Sequence, residues 1–144
     1  MALKVLYTTN ATAHGGRNGH TQNADGLVSV DLSVPKAMGG PGKPGTTTPE
    51  DLFAAGYAAC FGGGCDYAAK SVLKLKPTDI VVNCAVGIGT NPEGGFGLKV
   101  DITAKIAGLS QPDADRLVAE AHRICPYSNA TRNNIEVNVK AVAA

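Results

Sequence analysis

The feature that most constrains the fold is one long apolar segment, "TTTPEDLFAAGYAACFGGGCDYAAKSVLKLK". It begins like a helix, because Thr48 can serve as N-cap, Pro49 suits the first turn, and Glu50 faces the positive end of the helix dipole. Beyond that start, apolar residues occur nearly all round the helix axis, which predicts a buried central helix rather than an amphipathic surface one. The remaining elements are therefore expected to pack around this helix.

Three consecutive glycines lie within the same segment. Gly62, Gly63 and Gly64 together cost a helix about 2–3 kcal/mol relative to alanine. Such a cost needs an offset, and the close approach of another backbone is the natural one. We therefore expect a second segment of chain to pack against the helix at these glycines.

Residue content and alternating patterns predict strands on both sides of the helix. Residues 3–32 are expected to form strands joined by turns, with "KVLYTTNATA" and "LVSVDL" as strand sequences. Residues 79–89 and 96–108 alternate apolar and polar positions on either side of "TNPEGG", which predicts a hairpin. A second helix is expected to begin near Ser110 and to be interrupted at Pro126, and "IEVNVKAV" predicts a last strand.

The resulting order of elements is β-β-β-α-β-β-α-β. This order predicts an α+β fold in which antiparallel sheets pack against a long buried central helix. The chain has 144 residues, a length typical of one domain, so residues 1–144 are expected to form a single domain.

The composition argues against several classes of function. The 13 basic and 12 acidic residues form no block of like charge, so no nucleic-acid-binding surface is expected. No run approaches about 18 apolar residues, and the N-terminus lacks a secretion signal, so we expect no membrane insertion. Four cysteines in such a chain are more typical of free, catalytic or redox-active thiols in the cytoplasm than of structural disulfides. His14, His20 and His122 lack metal-ligand spacing, so neither a metal nor a cofactor is expected.

The four cysteines differ in their surroundings. Cys84 lies on the apolar face of a predicted strand, which favours a core position. Cys60 and Cys65 are separated by about 7.5 Å along the helix axis, and their side chains point about 140° apart. They therefore cannot form a disulfide with each other while the helix is intact. Cys125 follows His122 by one helical turn, an arrangement that can lower the pKa of a thiol. Each helix therefore offers one reactive candidate, and two such cysteines can meet if the helices pack together.

Several motifs together resemble one known family. "HGGRNGHTQNADG" lies near the N-terminus, "PKAMGGPGKPG" precedes "TTTPEDLFAAGYAACF", and "AHRICPYSNATRNN" follows some sixty residues later. In motifs, order and spacing the chain resembles, from end to end, the organic hydroperoxide resistance (Ohr) proteins of the Ohr/OsmC superfamily. The resemblance implies an OsmC-like α+β fold in an intertwined homodimer. It also implies a thiol-dependent peroxidase that reduces organic hydroperoxides, including fatty-acid and lipid hydroperoxides.

The resemblance also assigns roles to single residues. Cys60, in "YAACF", matches the family's peroxidatic cysteine, and Cys125, in "ICPYS", matches the resolving cysteine, which implies a Cys60–Cys125 disulfide. Arg17, in "GGRNG", and Glu50, in "TPEDLF", match the polar pair that activates the thiolate. Cys65 matches no functional position, which favours a packing role.

The implied chemistry suits these residue types. A thiolate that attacks a peroxide needs a lowered pKa and a positive neighbour. Arg17 supplies a permanent charge, and Glu50 can hold its guanidinium in place. Five apolar or aromatic side chains could accept an alkyl tail: Met38, Phe53, Tyr57, Phe61 and Tyr127. The resemblance implies a dithiol reductant of the lipoyl type, such as dihydrolipoamide or a lipoylated protein.

Two other functions compete with this interpretation. Cys125 with His122 as its base could form a cysteine hydrolase, although that function leaves Cys60 without a task. A dimeric redox-sensing or binding module of the superfamily would need no turnover at all.

Helix geometry adds a hypothesis about the dimer. Ten residues separate Glu50 from Cys60, which is about 15 Å along a helix axis. A glutamate side chain does not span that distance. We therefore hypothesise that each site takes Cys60 from one chain and Glu50 from its two-fold-related neighbour.

Overall fold

Two three-stranded sheets and three α-helices make up the described part of the fold. The structure is a computed structural model, and it describes residues 2–144. The chain divides into two compact units, the first ending at Leu52 and the second beginning at Phe53. The predicted α+β class is confirmed, whereas the assignment of the whole chain to one domain stays a prediction. Within residues 2–144, no helix is both long enough and apolar enough to cross a membrane.

The first unit contains a small antiparallel sheet. Its strands are β1 (Ala11–His14), β2 (His20–Asn23) and β3 (Ser29–Asp31), and they pair in that order. The ring of His20 bonds the carboxylate of Asp31 across β2 and β3, Nδ1 to Oδ1, at 2.8 Å. The strands predicted between residues 3 and 32 are therefore present from Ala11 onward.

The N-terminal segment, residues 2–10, differs from the sequence prediction. Its content of Val, Tyr and Thr predicts a strand from residue 4, yet these residues have no regular structure. Leu3, Leu6 and Tyr7 are 87%, 88% and 81% exposed. A strand needs a neighbouring strand to pair with its backbone groups. The carbonyl of Asn10 accepts a hydrogen bond from the Ala24 amide at 3.1 Å, whereas residues 2–9 have no strand of the first unit beside them.

Helix α1 (Pro49–Tyr67) begins where the sequence predicts. The Oγ1 of Thr48 accepts a hydrogen bond from the Asp51 amide at 3.1 Å, and the Asp51 carboxylate accepts one from the Thr48 amide, also at 3.1 Å. This reciprocal pair is a capping box. After Tyr67 the chain continues through a π-helical turn, Ala68–Leu73, and leaves it at Lys74 with a left-handed φ of 56°.

The part of α1 in the second unit is buried along one side. Tyr57, Phe61 and Cys65 have no exposed surface, whereas Ala55 and Ala59 are exposed. This burial is narrower than the all-round burial that the composition predicts. The reason is that the strands and helices of the second unit pack against only one side of the helix.

The second sheet is mixed rather than wholly antiparallel. Strands β4 (Asp79–Thr90) and β5 (Phe96–Ala107) form the predicted hairpin, which is confirmed. Strand β6 (Glu136–Ala143) pairs with β5 in parallel, in the order β4-β5-β6. The chain between β5 and β6 passes through helices, and a crossover of this kind permits parallel pairing. The prediction of antiparallel sheets is therefore wrong for this one pair.

Two helices form that crossover. Helix α2 (Gln111–Ile124) begins after Ser110, whose Oγ accepts a hydrogen bond from the Asp113 amide at 3.3 Å. The predicted interruption at Pro126 is confirmed, because a separate short helix, α3 (Pro126–Thr131), starts there. The core lies between the inner face of β5, the buried side of α1 and the apolar side of α2. Its fully buried aliphatic members include Val100, Ile106 and Leu117.

Candidate active site

The two cysteines singled out by the resemblance are neighbours in the second unit. Cys60 lies on α1 and Cys125 lies at the bend between α2 and α3. The Cys125 thiol donates a hydrogen bond to the Cys60 sulfur, and the two Sγ atoms are 3.4 Å apart. Both are free thiols. A disulfide needs a separation of about 2.05 Å, so a small movement of the side chains would bring the sulfurs to bonding distance.

Local sequence explains why Cys125 lies at a bend. The residue before a proline is restricted to extended conformations, and Cys125 has φ −60° and ψ 124°. Pro126 then starts α3 at a position where a missing N–H is tolerated. The Cys-Pro pair thus ends one helix, begins the next, and leaves the thiol between them.

Glycines on either side of Cys60 permit the close approach of this bend. Gly56 and Gly64 lie one helical turn before and after Cys60, on the same side of α1. A Cβ atom at Gly64 would lie 3.3 Å from the Ala121 carbonyl oxygen and 3.6 Å from the Cβ of Cys125. The predicted close approach of a backbone is therefore confirmed at Gly64.

The other glycines of α1 differ in what an added Cβ atom would contact. A Cβ at Gly63 would meet nothing of the same chain within 4 Å, so an approach at that position stays a prediction. A Cβ at Gly62 would meet only the Cγ2 atom of Val82, at 3.7 Å. At Gly56, by contrast, a Cβ would lie 3.1 Å from the hydroxyl oxygen of Tyr127, so this glycine makes room for an aromatic side chain of α3.

The surroundings of Cys60 in the second unit do not favour its thiolate. Burial raises the pKa of the Cys60 thiol above its ordinary value, and a hydrogen bond from the backbone of Tyr127 acts in the opposite direction without cancelling it. The expectation of a lowered pKa is thus not met by these surroundings. The physical reason is that a neutral backbone dipole compensates burial less well than a cation does.

The other two cysteines have the character of core residues. Cys65 has no exposed surface, and burial raises the pKa of its thiol to about 12. Burial also raises the pKa of Cys84, which packs against the core from β4. A thiol with a pKa of about 12, like that of Cys65, is a poor nucleophile near neutrality. These observations support packing roles for both residues.

The first unit holds the predicted polar pair. Arg17 donates two hydrogen bonds to Glu50 of the same chain, Nη1 to Oε2 at 2.9 Å and Nη2 to Oε1 at 2.6 Å. This bidentate contact lowers the pKa of Glu50 and raises the pKa of Arg17. Arg17 lies in a short turn between β1 and β2, where Gly15 has a left-handed φ of 78°. The two residues therefore meet as expected, in one chain.

The five side chains expected to line a substrate pocket do not all come together. In the second unit, Phe53, Tyr57 and Tyr127 form an aromatic cluster with ring centroids 5.6–5.9 Å apart. Phe61 packs instead against His122, with centroids 6.3 Å apart, and has no exposed surface. Tyr57 is likewise fully buried, so both side chains act as core residues in the single chain. Met38 belongs to the first unit and is 39% exposed.

Comparison with known proteins assigns the family. The model of the OsmC-like protein family matches residues 40–140. An organic hydroperoxide resistance protein from Xanthomonas axonopodis pv. citri (strain 306) is 48% identical over 137 residues, which cover 94% of each chain. The chain belongs to the organic hydroperoxide resistance proteins of the OsmC-like family. The resemblance is thereby confirmed.

Solved structures of this family match the fold closely. An organic hydroperoxide resistance protein from Elizabethkingia anophelis superimposes with a TM-score of 0.92 at 44% identity, over 99% of this chain and 100% of that chain. The organic hydroperoxide resistance protein OsmC from Legionella pneumophila gives a TM-score of 0.90 at 49% identity, over 96% and 99% of the two chains. The OsmC-like architecture thus extends over nearly the whole chain.

Sequence reasoning missed a group of buried hydroxyls beside the thiols of this family member. The Nδ1 atom of His122 lies 2.8 Å from the Oγ of Ser128, which in turn lies 2.8 Å from the Tyr57 hydroxyl. His122 therefore bonds Ser128 and not Cys125, and this removes the base–nucleophile contact that a cysteine hydrolase needs. The available signal was the pair Ser128 and Thr131, two hydroxyls three residues apart on a helix that follows Cys125 directly.

The role of Gly64 gives a first testable prediction. Gly64→Ala is expected to lower the free energy of unfolding by about 1–3 kcal/mol relative to Gly62→Ala, because its methyl group crowds the Ala121 carbonyl. Gly62→Ala is the matched control and is expected to be neutral or to stabilise by about 0.5–1 kcal/mol, since its Cβ finds ordinary contact distances. Urea unfolding of both variants measures the difference. Equal midpoints would show that the approach at Gly64 is not tight.

Proposed function

We propose that this protein is a cysteine-based peroxidase that reduces organic and fatty-acid hydroperoxides to alcohols. The observation that carries the proposal is the 3.4 Å separation of the Cys60 and Cys125 sulfur atoms, because these two side chains lie 65 positions apart in the sequence. The relatives named above as organic hydroperoxide resistance proteins support the substrate class.

The reaction proceeds in three steps. The Cys60 thiolate attacks one peroxide oxygen, the O–O bond breaks, and the other oxygen takes a proton and leaves as the alcohol. Cys60 is then a sulfenic acid, whose sulfur is attacked by Cys125 to form the disulfide and release water. A dithiol reductant restores both thiols by exchange and leaves as its own disulfide. We propose a lipoyl-type dithiol on the strength of the family resemblance.

Arg17 and Glu50 are proposed to serve the first step. The thiolate and the departing oxygen are both negative, and burial opposes the thiolate, so a permanent cation is required. Arg17 is such a cation, and its bidentate contact with Glu50 fixes the orientation of the guanidinium. Since the pair lies within one chain, a neighbour that supplies Glu50 to a site supplies Arg17 as well.

Two segments with unpaired backbone groups support the proposed homodimer. Residues 2–9 are strand-like in sequence but unpaired, and Leu3, Leu6 and Tyr7 expose most of their surface. Strand β4 lies at the edge of its sheet, whereas the opposite edge, at β6, is bonded by the side chain of Gln111. An unpaired edge is a template for another strand. We propose that residues 2–10 of one chain add to β4 of its neighbour.

A redox-sensing module is the second candidate. It is favoured by the same thiol pair, since a sensor also needs two thiols that form a disulfide. A sensor reacts once for each oxidation event, whereas a peroxidase turns over with its reductant. Steady-state consumption of an organic hydroperoxide therefore separates the two functions. The cytoplasmic location stays a prediction.

Cysteine substitutions test the proposed reaction. Cys60→Ser is expected to abolish the reduction of cumene hydroperoxide with dihydrolipoamide, because the nucleophile is lost. Cys125→Ser is expected to react once and then to accumulate Cys60 sulfinic acid, because no thiol traps the sulfenic acid. Substrate loss and intact-mass spectrometry measure the two outcomes.

The remaining cysteines provide the controls for this test. Cys65→Ser and Cys84→Ser are expected to keep most of the activity and to lose only stability, because both residues pack in the core. Turnover by a folded Cys60→Ser protein, or its loss in a folded Cys65→Ser protein, would contradict the assignment of Cys60.

Removing the cation tests the proposed role of Arg17. Arg17→Ala is expected to slow the oxidation of Cys60 by about 10²–10³-fold while leaving reduction of the disulfide nearly unchanged, because the charge is needed only where negative charge develops. Stopped-flow kinetics of the two half-reactions measure this difference. Arg17→Lys is the control and is expected to restore part of the rate, since it keeps the charge without the planar fork.

Mixed dimers test which chain supplies Arg17 and Glu50 to a given Cys60. If Arg17 and Glu50 act in the neighbouring chain, heterodimers of Cys60→Ser and Arg17→Ala chains rebuild one intact site and regain activity that neither parent has. Verified heterodimers without activity would place the pair in the same chain as its Cys60, and oxidation of Arg17→Ala at the wild-type rate would remove Arg17 from the reaction.

Truncation tests the proposed dimer. Deletion of residues 2–10 is expected to shift the protein from dimer to monomer in sedimentation velocity at micromolar concentration, because β4 then lacks its added strand. Lys4→Ala is the control and is expected to remain dimeric, since it keeps the backbone that pairs. A full-length protein that is monomeric at every concentration would contradict the dimer, and a dimeric truncated protein would contradict the role of residues 2–10.

A further inference from the structure

A connected chain of hydroxyl groups lies beside the two thiols. It joins His122, Ser128, Tyr57 and Thr131, and the hydroxyl of Tyr57 lies 2.8 Å from the Ser128 Oγ and 3.1 Å from the Thr131 Oγ1. The Thr131 hydroxyl donates to the backbone carbonyl of Ser128 at 3.2 Å. Tyr57 and Ser128 are fully buried, and Thr131 is nearly so. Among residues 2–144, no buried side-chain nitrogen or oxygen lacks a hydrogen-bond partner.

Counting the hydrogens fixes the direction of every bond in this chain. Each hydroxyl has one hydrogen to donate. Thr131 uses its hydrogen on the Ser128 carbonyl, so Tyr57 must donate to Thr131. Ser128 must then donate to Tyr57, and the Nδ1–H of His122 must donate to Ser128. The chain therefore runs one way, from the His122 ring to the Ser128 carbonyl, with all its hydroxyl hydrogens used.

The members of this chain lie around the thiol pair. Tyr57 is on α1, one helical turn before Cys60. His122 lies in the last turn of α2 and Ser128 in α3, so they stand on either side of Cys125 in the sequence. The hydroxyl chain thus links α1, which carries Cys60, to both α2 and α3, the two helices that flank Cys125.

We propose that Tyr57, Ser128 and His122 are positioning residues for the thiol of Cys125 in the disulfide-forming step. The proposal rests on the function proposed above. None of the three is bonded to a reacting sulfur, so each acts by holding the α2–α3 bend against α1. A bend held in this way keeps the Cys125 sulfur near Cys60 while Cys60 is a sulfenic acid.

Positioning matters because two reactions compete for that sulfenic acid. In the first, the Cys125 thiol attacks the Cys60 sulfur, the disulfide forms, and the hydroxyl leaves as water. In the second, another hydroperoxide oxidises Cys60 to the sulfinic acid and leaves as the alcohol. The first reaction is intramolecular, and its rate depends steeply on the distance and alignment of the two sulfurs. The second depends only on the hydroperoxide concentration.

The decisive measurement is therefore the partition between disulfide and sulfinic acid. Ser128→Ala and Tyr57→Phe are each expected to lower, by about tenfold, the hydroperoxide concentration at which half of Cys60 becomes sulfinic acid. In Ser128→Ala the rate of the first oxidation is expected to stay within about twofold of wild type, because the nucleophile is unchanged. Intact-mass spectrometry over a cumene hydroperoxide series, with no reductant, measures both products.

Two controls separate positioning from general destabilisation. Leu117→Ala removes a fully buried core side chain and makes a cavity, but touches no member of the hydroxyl chain. It is expected to lower stability without shifting the partition. His122→Asn, which can place an N–H donor near the position of Nδ1, is expected to keep the wild-type partition, whereas His122→Leu is expected to lose it. The comparison of His122→Asn with His122→Leu also tests the proposal if Ser128→Ala and Tyr57→Phe fail to fold.

The outcomes distinguish a failure of this positioning role from a failure of the proposed peroxidase function. A wild-type protein that forms no Cys60–Cys125 disulfide would contradict the proposed function itself. Wild-type disulfide formation with an unchanged partition in Ser128→Ala, or in His122→Leu, would overturn the positioning role alone. An equal shift in Leu117→Ala would also overturn it, because the effect would then follow from lost stability.

Discussion

The close approach of the α2–α3 bend to α1 is the constraint on which the thiol pair depends. Packed helices have their axes about 8–10 Å apart, and the side chains at the contact decide the distance within that range. Gly64 removes the side chain that would otherwise separate α1 from the Ala121 carbonyl. Gly56 makes the same allowance for the ring of Tyr127. The spacing Gly-x3-Cys-x3-Gly therefore places Cys60 between two close contacts, where Cys125 can face it.

The glycines destabilise α1, and the contacts that they permit between α1 and the α2–α3 bend offset this loss. A glycine in a helix interior destabilises it by roughly 0.5–1 kcal/mol relative to alanine. In return, the bend buries Cys125 and Ser128 and places Tyr57 in a fully satisfied set of hydrogen bonds. The same contacts leave Cys60 half-buried, which raises the pKa of its thiol. Packing thus brings the two sulfurs close together but does not stabilise the Cys60 thiolate.

Much of the fold follows from local sequence, and the exceptions have physical causes. The start of α1 could be predicted because Thr48 and Asp51 cap it within four residues, and the β4–β5 hairpin because its pattern alternates over a short turn. Residues 2–10 could not, because a strand exists only where a partner strand is available. The parallel pairing of β6 also escaped prediction, since it depends on a crossover through two helices. Motif resemblance pointed to the two thiols and to the Arg17–Glu50 pair, but the hydroxyl chain depends on three helices meeting, which no spacing in one of them reveals.

The long sequence separation of the two thiols has a consequence for the stability of the protein in its two redox states. A disulfide between Cys60 and Cys125 would tie together residues 65 positions apart. Closing a loop of that length restricts the unfolded chain by about 4 kcal/mol, while the folded unit already holds the sulfurs close together. Oxidation would therefore make the protein harder to unfold, and by thermodynamic linkage the same free energy would oppose reduction of the disulfide in the folded state. Unfolding would thus make the disulfide easier to reduce, so the fold and the disulfide would stabilise each other.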